Sequence, residues 1–139
     1  MKVINSFSGE YRWLSNFTSN SNDFNVEREY QATKAIDLRD KSRILIASSP
    51  GEAKRIGNQI VCRSDWEEIK DQVMLDCVRR KFSDPNFAER LLATNGAELI
   101  EGNHWGDTYW GVCRGKGQNK LGKILMQVRE EIRTQKENQ

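Results

Sequence analysis

At 139 residues the chain has the size of one ordinary domain, and its 37% apolar residues, with four Trp, five Phe and three Tyr, suffice for a core. Its 22 basic and 20 acidic side chains leave a net charge of +2, which excludes a strongly basic nucleic-acid coat protein but not a local basic cleft. Three scattered cysteines (Cys62, Cys77, Cys113) and the lone His104 form no zinc spacing, so no metal, no cofactor and a reduced cytoplasmic setting are expected.

The start at Met1 has no extended apolar run, and no segment approaches membrane-spanning length, so neither a signal peptide nor a membrane is expected. Residues Val3–Phe7 read as a short strand, followed by turn chemistry at Ser8-Gly9-Glu10. Tyr11 to Phe17 is an aromatic-rich loop, and Thr18 to Asp23 a polar turn or excursion. Phe24 and Val26 alternate with polar neighbours, which predicts a second strand pairing with the first. Helical spacing of Tyr30, Ala35 and Leu38 predicts a helix from Glu27 to about Arg39.

The middle is well punctuated. Ser49-Pro50-Gly51-Glu52 supplies an N-cap and a first-turn proline, with Gly57 at the far end. Ser64 answered by Glu67 reads as a capping box opening a helix with Trp66, Ile69, Val73, Met74, Cys77, Val78 and Phe82 on one side. Asp84-Pro85 caps the next helix, with Phe87, Leu91 and Leu92 inward, and Thr94-Asn95-Gly96 ends it. Ala97 to Gly102 alternates as a strand. Leu121, Ile124, Leu125, Val128 and Ile132 predict a last helix from Lys120 to about Thr134, with a frayed tail from Gln135 to Gln139. The expected architecture is α+β: one mostly helical domain over 1–139, core about 3–134, with a small antiparallel sheet.

Acid–base chemistry needs a group able to hold or take a proton, and with one histidine the burden falls on carboxylates. Carboxylates suit cleavage at a sugar's anomeric carbon, where an oxocarbenium-like transition state develops. Glu27, at a predicted strand-to-helix junction, is one candidate; a helix-start glutamate that only complements the dipole is the plainer reading. Asp107 is the other, and its plainer reading is an Asx turn. Asp107 to Asn119 also gathers Tyr109, Trp110, Gly111, Gly115, Lys116 and Gly117 directly before the last helix. Glycines admit close approach of backbone to ligand, and a helix start offers N–H groups to an anion, although Walker A spacing is missing. Trp66 and Trp110 are candidates to stack a ring, against the default of core packing. Asn16 and Phe17 are candidates to hold a ribose, against the default of an ordinary turn.

Eight blocks occur in a characteristic order. They are Ser15-Asn16-Phe17, Glu27-x-x-x-Gln31-Ala32-x-Lys34, Trp66-x-x-Ile69-Lys70-x-x-Val73-Met74 and Lys81-Phe82 in the first part of the chain. Leu91-Leu92-Ala93-Thr94, Leu99-Ile100-Glu101, Asp107-x-Tyr109-Trp110-Gly111 and Gly117-x-Asn119-x-Leu121-Gly122-x-x-Leu125-Met126-x-x-Arg129 follow. From about Phe7 to Arg129 this pattern resembles the NADAR family of YbiA-like N-glycosidases. The resemblance implies a mixed, helix-rich fold and cleavage of a ribosyl–nitrogen bond. Family members act on phosphoribosylamino-pyrimidine intermediates of riboflavin synthesis, or remove ADP-ribose from guanine bases in nucleic acid.

Carried over by position, the resemblance implies Glu27 as the leading catalytic residue and Asp107 as a second one. Asn16, Phe17, Gln31, Lys34, Trp66, Lys70, Tyr109, Trp110, Gly111 and Asn119 would contact substrate. Arg28-Glu29 stands where many members have histidine and an aromatic, and Val112-Cys113 where riboflavin-pathway members show Asp-Gly. These departures set the chain apart from the riboflavin type. The expected partner is therefore ADP-ribosylated nucleic acid or another ADP-ribose-containing substrate, with the pyrimidine intermediate and a purely binding module as alternatives.

Overall fold

The computed structural model describes residues 2–139. In chain order the elements are β1 (Val3–Ile4), a 3-10 segment (Gly9–Leu14), α1 (Val26–Thr33), α2 (Leu38–Leu45), α3 (Pro50–Gly57) and α4 (Trp66–Lys81). Then come α5 (Pro85–Ala93), β2 (Glu98–Leu99), β3 (Gly102–Asn103), β4 (Val112–Cys113) and α6 (Lys120–Glu137). Helix dominates, as expected. The chain divides into two units, Asn16–Lys81 and the N-terminal segment through Ser15 together with Phe82–Gln139.

The Asn16–Lys81 unit holds α1 to α4. The predicted strand around Phe24 and Val26 does not form. Asn25 instead caps α1, its side chain accepting from the Arg28 N–H at 2.9 Å, so Val26 is already helical. Two alternating apolar residues are too short a signal to outweigh a capping side chain. Ahead of it, Asn20 closes the polar excursion: its Oδ1 accepts from the N–H groups of Asn22 and Phe24, and its Nδ2 donates to the Lys81 carbonyl at 2.9 Å.

The helix expected from Glu27 to Arg39 is in fact two. It ends at Thr33, because Ala35 pairs with Cys62 in an antiparallel bridge and Lys34 accepts from the Arg63 N–H at 2.9 Å. Asp37 then caps α2 by accepting from the Arg39 N–H at 2.7 Å. Ala32, Ile44, Ala53 and Ile56 bury together and join α1, α2 and α3, with Ala47 and Ile60 against them. α3 begins as read: Ser49 accepts from the Glu52 N–H at 3.0 Å and Pro50 opens the first turn. α4 starts at Trp66, one residue later than a Ser64 cap would place it, and buries Trp66, Met74, Cys77, Val78 and Lys81.

Arg28 locks this arrangement. Its Nη1 donates to the carbonyls of Ile44, Leu45 and Ala47 at 3.2, 3.2 and 2.7 Å, tying α1 to the end of α2 and the residues that follow it. Arg28→Ala is expected to lower stability by about 1–3 kcal/mol, the cost of stranding partly buried acceptors. Denaturant unfolding would read the loss, and hydrogen exchange would place it in α2.

The other unit packs α5 and α6 with the short strands. Asp84 caps α5 through the Asn86 N–H at 3.0 Å, and Pro85 follows it, as the sequence indicates. Phe82 meets Trp13 and Phe87 at ring-centroid distances of 6.4 and 6.1 Å, while Leu14, Leu91, Leu99, Leu125 and Val128 are buried. The sheet expectation needs correcting. β1 pairs with β2, Val3 opposite Glu98 and Ile4 opposite Leu99, and β3 with β4, Gly102 opposite Val112; both pairs are parallel rather than antiparallel. Antiparallel pairing between neighbours is the product of a tight turn, and neither pair is joined by one. The tail also differs: α6 runs to Glu137, so only Asn138 and Gln139 lie beyond it. Ion pairs of Arg133 with Glu130 and Lys136 with Glu89 accompany that extra turn.

Candidate active site

Glu27 lies in the first turn of α1, yet it is only 7% exposed, which sets it apart from a helix-start glutamate in solvent. Its backbone N–H donates to the Asn16 carbonyl at 3.2 Å, and its Oε1 accepts from Gln31 Nε2 at 2.9 Å, one turn on. Gln31 is buried too, and its own oxygen accepts from Lys34 Nζ at 3.1 Å. Lys34 Nζ donates as well to the Gly57 carbonyl at 3.1 Å. Carboxylate, amide and ammonium thus form one chain along a face of α1. Burial pushes the Lys34 ammonium below its usual range; the Cys62 thiol and Glu27 oppose that shift, and Lys70 adds to it.

Gly57 permits the arrangement. A Cβ there would lie 2.0 Å from Gln31 Oε1, so α3 can approach α1 this closely only without a side chain. Gly57 ends α3, as read from the sequence, and is needed for this approach as well. Around the carboxylate, Asn16 donates Nδ2 to Met74 Sδ at 3.5 Å, and Phe17 is 45% exposed. Trp66 packs its ring against Tyr30 at 5.0 Å and is 6% exposed, whereas Lys70 pairs with Glu67 at 2.5 Å. This unit therefore gathers Asn16, Phe17, Glu27, Gln31 and Lys34 through bonds or chain adjacency.

The remaining expected residues lie in the Phe82–Gln139 part of the other unit. Asp107 Oδ1 accepts from the N–H groups of Tyr109 and Trp110 at 3.1 and 2.9 Å, the geometry of an Asx turn. Its own N–H and carbonyl are held by Asn103 at 3.0 and 2.9 Å. The Tyr109 and Trp110 rings meet edge-on at 4.9 Å, and Lys120 Nζ donates to the Tyr109 hydroxyl at 3.1 Å. Asn119 is buried: its Nδ2 donates to the Leu99 carbonyl and its Oδ1 accepts from the Glu101 N–H, both at 2.9 Å.

The start of α6 is not the open anion site suggested by the glycine–lysine run. The N–H groups of Gln118, Asn119, Lys120 and Leu121 donate to the carbonyls of Thr108, Gly111, Tyr109 and Trp110. Donors already spent on a loop are not offered to phosphate. The glycines shape that loop. Gly115 and Gly117 hold φ of +78° and +147°, and a Cβ on Gly111 would lie 1.8 Å from Glu101 Oε2 and 2.2 Å from its carbonyl oxygen. Gly111→Ala is expected to break the Asp107–Asn119 loop at a cost of roughly 3 kcal/mol, a strained-backbone-sized penalty. A fall in Trp fluorescence anisotropy together with a lower melting midpoint would register it.

Sequence reasoning assigned no role to Asn103, which holds Asp107, or to Lys81, buried at 1% exposure; the Asn103-x-x-x-Asp107 spacing was the available signal for the first. His104 is exposed beside Trp105. Among the described residues no group of three His, Cys, Asp or Glu side chains is placed to hold a metal ion, and no helix is long and apolar enough to cross a membrane.

Residues 6–133 match the family described as NADAR domain. The chain is 36% identical to N-glycosidase YbiA of Shigella flexneri serotype 5b, over 96% of this chain and 91% of that protein. It is 41% identical to a riboflavin biosynthesis protein of Vibrio vulnificus, over 76% of this chain but 30% of that protein. The NMR structure of E. coli YbiA is similar with a TM-score of 0.87 at 35% identity, covering 99% of this chain and 89% of that one.

Proposed function

From the premise that the chain belongs to the NADAR domain family, we propose that it is a hydrolase that cleaves ribosyl–nitrogen bonds and removes ADP-ribose from guanine bases of nucleic acid. The observation that carries this reading is the buried Glu27, oriented by the Gln31 amide at 2.9 Å with Lys34 behind it. An amide N–H on Oε1 suits that oxygen to carry negative charge and fixes the carboxylate plane. A carboxylate so held can face the positive charge that develops on the anomeric carbon, and can take a proton from the attacking water. The water oxygen bonds to that carbon, the carbon–nitrogen bond breaks with its electron pair going to nitrogen, and that nitrogen ends with the proton Glu27 took from the water.

In this proposal Trp66 and Lys70, in the same unit as Glu27, contribute to substrate contact, and Asp107 shapes the Tyr109–Trp110 turn within its own unit. The similarity to a riboflavin biosynthesis protein favours a second reading, the same bond in a phosphoribosylamino-pyrimidine. Against it stands Val112-Cys113, which here forms β4 and in riboflavin-type members tends to be Asp-Gly. The test is to incubate the protein with an oligodeoxynucleotide carrying ADP-ribosylated guanine and, separately, with the pyrimidine. Release of ADP-ribose from the first supports the proposal, whereas release of ribose 5-phosphate from the second alone replaces it. Binding of ADP-ribose without cleavage of either would make the chain a binding module.

A further inference from the structure

Cations in the Asn16–Lys81 unit are nearly all committed. Arg39, Arg43, Arg55, Arg63, Lys70 and Arg79 pair with nearby carboxylates, Arg28 with carbonyls of the α2 end, and Lys34 with Gln31 and Gly57. On α3 the contrast is between neighbours. Arg55 takes Glu52 with two of its nitrogens, while Lys54, half-buried and next in sequence, enters no ion pair among the described residues. Its Nζ stands 6.0 Å from the ring centroid of Phe17.

Phe17 is itself unusual, an aromatic side chain 45% exposed on a backbone held at two points. Its carbonyl accepts from Asn25 Nδ2 at 3.0 Å, and the carbonyl of the preceding Asn16 accepts from the Glu27 N–H. The ring is therefore tied to the start of α1, where Glu27 sits. α3 connects the two places. Gly51, in its first turn, approaches Phe17 so that a Cβ would make ordinary contact at 3.9 Å, and Gly57 at its other end touches Gln31. Lys54 is three residues from each, on the one stretch of α3 that runs from the aromatic ring to the carboxylate–amide–ammonium chain.

We infer that Lys54 and Phe17 form the subsite for the phosphate-bearing part of the ribosyl substrate, Lys54 binding phosphate oxygen and Phe17 lying flat against the adjoining sugar or ring. A cation without a carboxylate, resting over an aromatic face, can swing onto an incoming anion without breaking an ion pair. Lysine serves here as a point charge, which tolerates either a pyrophosphate or a terminal phosphate. The inference rests on the reading of Glu27 as the reacting carboxylate and names the ligand group bound beside it.

The test separates the two. Binding of ADP-ribose, ribose 5-phosphate and unphosphorylated ribose to the intact protein would be measured by calorimetry, which needs no turnover. Lys54→Gln is expected to weaken ADP-ribose and ribose 5-phosphate by about tenfold or more and leave ribose unchanged, and Lys54→Arg to restore most of the loss. Phe17→Leu is expected to weaken all three. On a cleaved substrate, Lys54→Gln should raise KM with little change in kcat. Equal affinity of wild type and Lys54→Gln for both phosphorylated ligands overturns the subsite, even if N-glycosidase activity is present. Absence of any cleavage by the wild type, with the binding difference intact, overturns the Glu27 reading and leaves the phosphate subsite standing.

Discussion

Glu27→Gln is expected to lower kcat for ribosyl–nitrogen cleavage by about 10³-fold, within the range found for loss of a positioned acid–base or charge-stabilising group. The substitution keeps the size of the side chain and leaves an oxygen able to accept from Gln31 Nε2, which now lies 2.9 Å from Oε1. Only the negative charge and the proton-accepting capacity disappear. Substrate affinity should hold within a few fold, because a carboxylate next to a phosphorylated ligand contributes little to ground-state binding. Gln31→Leu is expected to have a smaller effect in kcat, since it loosens the carboxylate without removing it. Steady-state rates of ADP-ribose release from a guanine-modified oligonucleotide supply the measurement. Full activity in Glu27→Gln would remove this residue from the chemistry and turn attention to the loop around Asp107.

Stability is expected to rise by about 2 kcal/mol between pH 7 and pH 9 and then level off, because two buried groups titrate in opposite senses. Burial pushes the Lys81 ammonium down from 10.5 to about 7 and the Cys77 thiol up from 9.0 to about 12. For Lys81, between pH 7 and 10.5 the unfolded chain binds a proton that the folded chain has released, so stability climbs with pH. Two pH units at about 1.4 kcal/mol each, less the half-titration of Lys81 at pH 7 and the onset of Cys77 near pH 9, give the rise of about 2 kcal/mol. Above pH 9 the unfolded chain loses the Cys77 proton while the folded chain keeps it, so that group lowers stability as pH rises and offsets the remaining gain from Lys81. Denaturant unfolding across pH 6 to 10 tests this directly. In Lys81→Met the rise between pH 7 and 9 should vanish, and in Cys77→Ala the climb should continue toward pH 10.5. A flat profile for the wild type in that window would show Lys81 to be charged in the folded protein.

Helix boundaries announced by capping chemistry were legible in the sequence. Ser49-Pro50 and Asp84-Pro85 start helices in the structure because a side-chain acceptor and a proline act within one turn and need no distant partner. Long apolar spacing was equally readable, so α4 and α6 fall close to where Met74, Val78, Leu121 and Leu125 place them. The order of motif blocks also carried the family, since it is a property of the chain alone. Glu27, Gln31 and Lys34 could be named together because three- and four-residue steps share a helix face.

Other features belong to tertiary contact. The break between α1 and α2 depends on a bridge from Ala35 to Cys62, and the parallel pairing of β1 with β2 sets Val3 opposite Glu98, far away in the chain. No local window contains such partners. Glycine shows the limit most plainly: Gly57 ends α3 as the sequence indicates, but the sequence does not show that a Gln31 side-chain oxygen lies 2.0 Å from where its Cβ would stand. Likewise, the Asp107–Asn119 stretch resembled a phosphate loop until the carbonyls of residues 108–111 were seen to take the N–H groups at the start of α6. Composition and spacing determined which chemistry-bearing residues the chain has and which of them share an element. Only the fold decided which donors remain available, which cations are already paired, and how deeply Glu27 is buried, because each of those is a property of neighbours brought from elsewhere in the chain.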